Sequence, residues 1–131
     1  MLKTRPQRIL IADNDEEVLL SLERLLEDCG YATTTAVSHA EASHLLSQGR
    51  FDLYVLDDFL SDKDSVAALS ELRQSRALLP VIVTYQRFPR RSQEQQLRAL
   101  GVLALVHKRA HIQLAQIVFE ALRARPLRSR L

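Results

Sequence analysis

In the middle of the chain, Phe51 to Asp57 (FDLYVLD) contains an unbroken apolar run, Leu53 to Leu56, bounded by acids. The run is too short for a free-standing helix and suits a strand covered on both faces, as in a parallel sheet with helices on either side. Four more short segments repeat the theme: Arg8–Ala12, the threonine-rich Tyr31–Val37, Val81–Tyr85 introduced by Pro80, and Val102–Val106. Low apolar content predicts that the threonine-rich strand lies at a sheet edge. Between these segments apolar residues recur at helical spacing. Val18, Leu19, Leu22, Leu25 and Leu26 mark the first helix, Ala42, Leu45 and Leu46 the second, and Val66, Leu69 and Leu72 the third. Leu97 and Leu100 mark the fourth, and Ile112 to Ala124 forms the last, with Pro126 preventing its continuation. Asp15 or Asn14 can cap the first helix and Gly30 can end it; Ser38 with Glu41 and Ser92 with Gln95 have capping-box spacing, and Gly49 and Gly101 serve as stops. Phe59 to Asp64 reads as a polar loop.

Five strands alternating with five helices predict a doubly wound α/β domain, a flavodoxin-like (βα)5 unit with a five-stranded parallel sheet in the order 2-1-3-4-5. The 131 residues divide into an arm (1–7), one domain (8–125) and a basic tail or linker (126–131). The formal net charge of +2 is unevenly spread. Lys3, Arg5, Arg8, Arg123, Arg125, Arg128 and Arg130, set against Glu120, give the two ends +6 and leave the interior at −4. An acidic body argues against a nucleic-acid-binding domain, while the basic tail suits a linker or a contact for an anionic partner. Arg87, Arg90 and Arg91 around Pro89 read first as a solvated basic loop, with docking of an acidic partner as the other reading. The single cysteine, Cys29, excludes an internal disulfide and is expected to be a small core residue. No apolar run approaches membrane-spanning length and no signal-peptide pattern opens the chain, so a cytoplasmic protein is expected.

Chemistry in open α/β sheets gathers outside the carboxyl ends of the strands. Asp13 follows the first strand, Asp57 ends the third and Lys108 follows the fifth. Each alone is an ordinary strand-end residue; the three are expected to meet at one crevice. Neighbouring carboxylates repel and need a cation or a proton. A few carboxylates with several waters is how magnesium is usually held, and a lysine nearby supplies a compact positive charge for an anion. No glycine-rich turn follows the first strand, which argues against a dinucleotide or P-loop site. Asp58 is read as a solvated loop acid, and His39, His44, His107 and His111 as surface histidines.

RILIADND, FDLYVLD, Pro80 with its following strand, and Gly101 seven residues before Lys108 occur here in order and at matching spacing. Together they resemble the receiver domain of two-component response regulators over about Arg8 to Arg125. The resemblance implies a phosphoacceptor at Asp57, a phosphoryl-contacting lysine at Lys108, and a magnesium site of Asp13, Asn14, Asp57 and the Phe59 backbone carbonyl. It implies a histidine kinase or phosphotransfer protein as phosphodonor, an output domain or partner protein downstream, and a homodimer surface on the last two helices. A signalling role of this kind is not that of an enzyme.

Several positions depart from the family pattern. Asn14 stands where a second acid is usual, so magnesium is expected to bind weakly. The hydroxyl that ends the fourth strand in the family falls by gap-free counting on Tyr85, with Thr84 one residue early and therefore expected on the opposite face. Leu105 replaces an aromatic residue three before the lysine, and Arg109 replaces the proline after it, so the Lys108–Arg109 bond is expected to be trans. Ser61 and Ser65 stand for a proline and a glycine. These departures keep a second reading open, a pseudo-receiver that binds partners without phosphorylation; a flavodoxin-like small-ligand binder is a distant third. Without the usual hydroxyl and aromatic, a phosphoryl mimic is expected to leave the last two helices nearly unchanged.

Overall fold

The structure, a computed structural model, describes residues 5–76 and 78–123. Five parallel strands form one sheet: β1 (Arg8–Ala12), β2 (Ala32–Ala36), β3 (Leu53–Asp57), β4 (Val81–Tyr85) and β5 (Ala104–His107), in the order β2-β1-β3-β4-β5. Five helices connect and flank them: α1 (Glu16–Asp28), α2 (His39–Gln48), α3 (Ser65–Ser75), α4 (Arg91–Ala99) and α5 (His111–Arg123). This is the flavodoxin-like order expected from the alternation of apolar runs. Among the described residues no helix is long and apolar enough to cross a membrane.

Strand alternation divides the core into two layers. Ile9, Ile11, Leu53, Val55, Ile82 and Val106 pack on α1 and α5 through Leu19, Leu22, Leu26, Leu114, Val118 and Leu122. Leu10, Ala12, Tyr54, Leu56, Val81 and Val83 pack on the other side with Ala42, Leu46, Leu69, Leu72 and Leu97. All five residues of β3 are buried, which is why its run has no polar alternation. The same period of two fixes the direction of the groups at the strand ends. Asp13 continues the row of Ile9 and Ile11, Asp57 that of Leu53 and Val55, Thr84 that of Ile82, and Lys108 that of Val106. All four therefore face the α1/α5 side.

Several local expectations are corrected. Phe59–Asp64 is not an open loop: Phe59–Leu60 pairs antiparallel with Lys63–Asp64, and Leu60 is buried in the core. Asp62 at its turn accepts hydrogen bonds from the His39 and Ala40 backbone N–H groups (2.9 and 3.1 Å), pinning the hairpin to the start of α2. Cys29 is exposed, because the apolar stripe of α1 ends at Leu26 and the chain turns at Gly30, whose φ of +96° favours glycine. Ser92 and Gln95 do not box the fourth helix. The chain leaves β4 through Phe88 and the buried Pro89, so α4 starts at Arg91, with the Arg90 N–H donating to Gln93 Oε1 (3.3 Å). β5 begins at Ala104 rather than Val102, because the Val102 N–H is used to close α4 onto the Leu97 carbonyl (3.0 Å).

Other signals acted as expected. Asp15 caps α1 by accepting from the Glu17 and Val18 N–H groups, Ser38 caps α2 by accepting from Glu41, and Gly101 ends α4 at φ +79°. Gln7, in the arm, donates to the Leu122 carbonyl of α5 (3.2 Å). Met1 to Thr4, Ala124, Pro126 and the expected tail 126–131 lie outside the described residues.

Candidate functional site

The carboxyl end of the sheet brings together the residues that alternation aims at one face. The Lys108 ammonium lies 3.0 Å from Asp13 Oδ2 and 3.1 Å from Asp57 Oδ1. The carboxylates are almost fully withdrawn from solvent, 1% exposed at Asp13 and 4% at Asp57. One cation thus serves two buried anions. Asp13 Oδ1 also accepts the Asp15 N–H (2.9 Å), while Asp13 Oδ2 faces the ammonium.

The charge imbalance appears in proton affinities. Burial, and then repulsion from Asp13, push the Asp57 carboxyl up to about 6; contacts with Lys108 and the Phe59 backbone N–H oppose this without cancelling it. For Lys108 burial disfavours the charged form, but the two carboxylates outweigh it and hold the ammonium above the ordinary lysine range.

Sheet register puts Thr84 and Tyr85 on opposite faces. Asp57 pairs with Thr84 across β3 and β4, so the two side chains lie on one face, and Thr84 is 1% exposed. Tyr85 points to the other face, where its ring meets Phe88 edge-on at 5.1 Å and His107 at 5.5 Å. Thr84, expected on the opposite face, lies on the face of Asp57.

The remaining expected positions are less central. Asn14 is exposed at the rim beside Asp15, Glu16 and Glu17, and the Asp15 carboxylate is committed to capping α1. Phe59 has an exposed side chain, while its backbone borders Asp57. Leu105 is half-buried against the α2–α4 core layer. The described residues contain no cis peptide bond, so Lys108–Arg109 is trans, and the Arg109 N–H donates to His107 Nδ1 (3.1 Å). Ser61 is exposed.

Two features were missed. Asp58 is not a free loop acid: its carboxylate accepts from Ser65 Oγ (2.8 Å), its carbonyl accepts from the Ser65 N–H (2.9 Å), and its own N–H donates to the Thr84 carbonyl (2.7 Å). It ties the segment after Asp57 to both α3 and β4, and no local motif marks it. His39 is not a surface histidine either. Its ring, largely buried, lies 3.1 Å from Ser43 Oγ and 3.3 Å from Glu71 Oε2.

A family model for the response regulator receiver domain matches residues 9–118. The chain belongs to that family. The transcriptional regulatory protein PrrA of Mycobacterium tuberculosis is 40% identical over 76 residues, which are 58% of this chain and 33% of PrrA. The chain therefore matches about a third of that relative's length. Among solved structures, the CheY-like receiver domain protein of Methanospirillum hungatei superposes with a TM-score of 0.85 at 23% identity, covering 91% of this chain and 95% of that one. TrrA of Thermotoga maritima, solved in complex with Mg(2+)-BeF, gives a TM-score of 0.80 at 23% identity, covering 88% and 98%. As a class, receiver domains interact with histidine kinases and output domains and bind Mg2+ at their phosphorylation site.

The site predicts a pH-dependent gain in stability on neutralising Asp57. Because its folded pKa is raised above the unfolded value of 3.8, the stability of the protonated form is fully present below that value and is lost as pH rises through about 6. Asp57→Asn should therefore unfold about 1–3 kcal/mol less readily than the parent at pH 7 in chelator. The gain should shrink towards zero near pH 4 in urea titrations of both proteins. Equal stability at both pH values would show that the Asp57 charge is not strained.

Proposed function

We propose that this receiver domain accepts a phosphoryl group on Asp57 from a histidine kinase or phosphotransfer protein and passes the signal to an output domain or partner protein. The observation that supports this best is the pairing of two buried carboxylates with one ammonium, which leaves the site one positive charge short. In the transfer an Asp57 carboxylate oxygen attacks phosphorus, the new P–O bond forms, and the P–N bond to the donor imidazole breaks with its electron pair returning to nitrogen. Lys108 contacts the transferred oxygens as their negative charge becomes exposed to Asp13. Thr84, on the face of Asp57, donates its hydroxyl to the phosphoryl group.

The donor set fits a magnesium ion. Two buried carboxylates share a single ammonium, and hard oxygen ligands of this kind are what magnesium takes. Asp13, Asp57, the Asn14 side-chain oxygen and the Phe59 carbonyl would hold it. When bound, magnesium supplies positive charge that lessens repulsion between the carboxylates and the incoming phosphoryl oxygens. Asn14 brings an oxygen without a charge, so the site is a weak one.

The pseudo-receiver reading rests on Asn14, Leu105, Arg109, Ser61 and Ser65 as well as on a tyrosine at the end of β4. The register of Thr84 with Asp57 weakens the last of these motives, and a phosphoryl group would have a hydroxyl on β4 to draw on. A ligand shifts a conformational equilibrium by its differential affinity for two states, and the Thr84 contact is a source of that difference.

Incubation with acetyl phosphate and magnesium, followed by intact-mass measurement, tests the proposal. The parent should gain one phosphoryl mass and Asp57→Asn none; an unmodified parent, or equal labelling of both, would contradict it. Asn14→Asp should tighten magnesium about tenfold, the equivalent of ~1.4 kcal/mol. Calorimetric titration of both forms measures this, and an unchanged affinity would remove Asn14 from the ligand set.

A further inference from the structure

Asp58 and Ser65 lie outside the set of groups that would touch a phosphoryl group, yet their bonds end on members of that set. Ser65 is 1% exposed, and a buried hydroxyl needs a partner. It donates to the Asp58 carboxylate at 2.8 Å, and a charged acceptor makes such a bond one of the stronger kind. Among the described residues Asp58 forms no ion pair, so the serine is its side-chain partner. The glycine of the family pattern at this position would offer no hydroxyl. Strand alternation turns Asp58 away from the face of Asp57, so its carboxylate does not enter the site.

The same two residues also share a backbone bond. The Ser65 N–H donates to the Asp58 carbonyl (2.9 Å), and the N–H at the other end of that peptide unit, that of Phe59, contacts the Asp57 carboxylate. A peptide unit is planar, so fixing its carbonyl also aims its N–H. On the near side the Asp58 N–H donates to the Thr84 carbonyl (2.7 Å), and Asp57 pairs with Thr84 in the sheet. Phe59 pairs with Asp64, whose carboxylate caps α3 by accepting the Ala67 N–H (2.8 Å). Asp57 and Phe59 are thus tied at once to β4 and to the start of α3.

We propose that Asp58 and Ser65 are positioning residues for the metal and phosphoryl site. Their clasp fixes the Asp58–Phe59 peptide unit, and through it the aim of the Asp57 carboxylate and the place of the Phe59 carbonyl. The inference rests on the phosphoacceptor reading and adds two residues that touch neither ion nor phosphoryl group. Magnesium demands near-octahedral geometry, so small displacements of its ligands matter. Partners that orient a metal ligand commonly change affinity by about 10–100-fold. Asp58 acts here as a hydrogen-bond acceptor rather than through its charge.

The test uses the full chain, with magnesium affinity measured by calorimetry and amide hydrogen exchange at Phe59 followed by NMR in chelator. Ser65→Ala and Asp58→Ala should each weaken magnesium about tenfold and speed exchange at Phe59, with unchanged far-ultraviolet circular dichroism. Asp58→Asn keeps an acceptor oxygen for the serine and should stay close to the parent in both readouts. With acetyl phosphate, Ser65→Ala should take up the phosphoryl group more slowly than the parent at low magnesium and recover as magnesium is raised. Unchanged magnesium affinity and unchanged Phe59 exchange in Ser65→Ala would overturn the proposal and leave Asp57 as phosphoacceptor. So would an Asp58→Asn variant that matches Asp58→Ala, since charge and not the bond would then be the cause. A parent that takes up no phosphoryl group, while Ser65→Ala still weakens magnesium and speeds exchange, would remove the phosphoacceptor reading and leave the clasp standing.

Discussion

A single ammonium lies between two buried carboxylates, and the rest of the site depends on that contact. Taking charges out of water is tolerated only where partners replace the lost hydration. Lys108 gives Asp13 and Asp57 that replacement at 3.0 and 3.1 Å, yet one positive charge cannot balance two negative ones. The raised proton affinity of Asp57 is the expression of that deficit. A site in this condition has a standing attraction for a cation.

Sheet order sets how the contact is made. β5 is separated from β3 by β4, so Lys108 reaches Asp57 across the end of an intervening strand, roughly 10 Å from one outer strand to the other. The residue of β4 on the side of that path is Thr84, a smaller side chain than tyrosine. A tyrosine facing the same way would obstruct it. The register Asp57 to Thr84 therefore serves two ends: it clears the path of the lysine and turns Tyr85 to the opposite face, where Tyr85 supports Phe88.

Much of this was legible in the chain because period-two burial and helix caps are local signals. The apolar runs marked all five sheet strands, and Asp13, Asp57 and Lys108 were recognisable because each lies at or just beyond the carboxyl end of one. Features that depend on pairing between distant segments were not legible. The position of Thr84 follows from how β3 and β4 align, which no count from Pro80 could give. The clasp of Asp58 on Ser65, the pinning of the Asp62 hairpin to α2 and the burial of His39 need three-dimensional neighbours. Cys29 misled for the converse reason: its helical spacing from Leu26 continues past the point where the helix has a core to face.

The central claim is that Asp57 sits in a pocket short of positive charge. Carbon-13 NMR of the aspartate side-chain carboxyls, titrated with and without magnesium, measures this at the residue itself. Asp57 should titrate near pH 6 in chelator, and magnesium should shift the midpoint downward. A midpoint in the ordinary aspartate range, unmoved by magnesium, would contradict it.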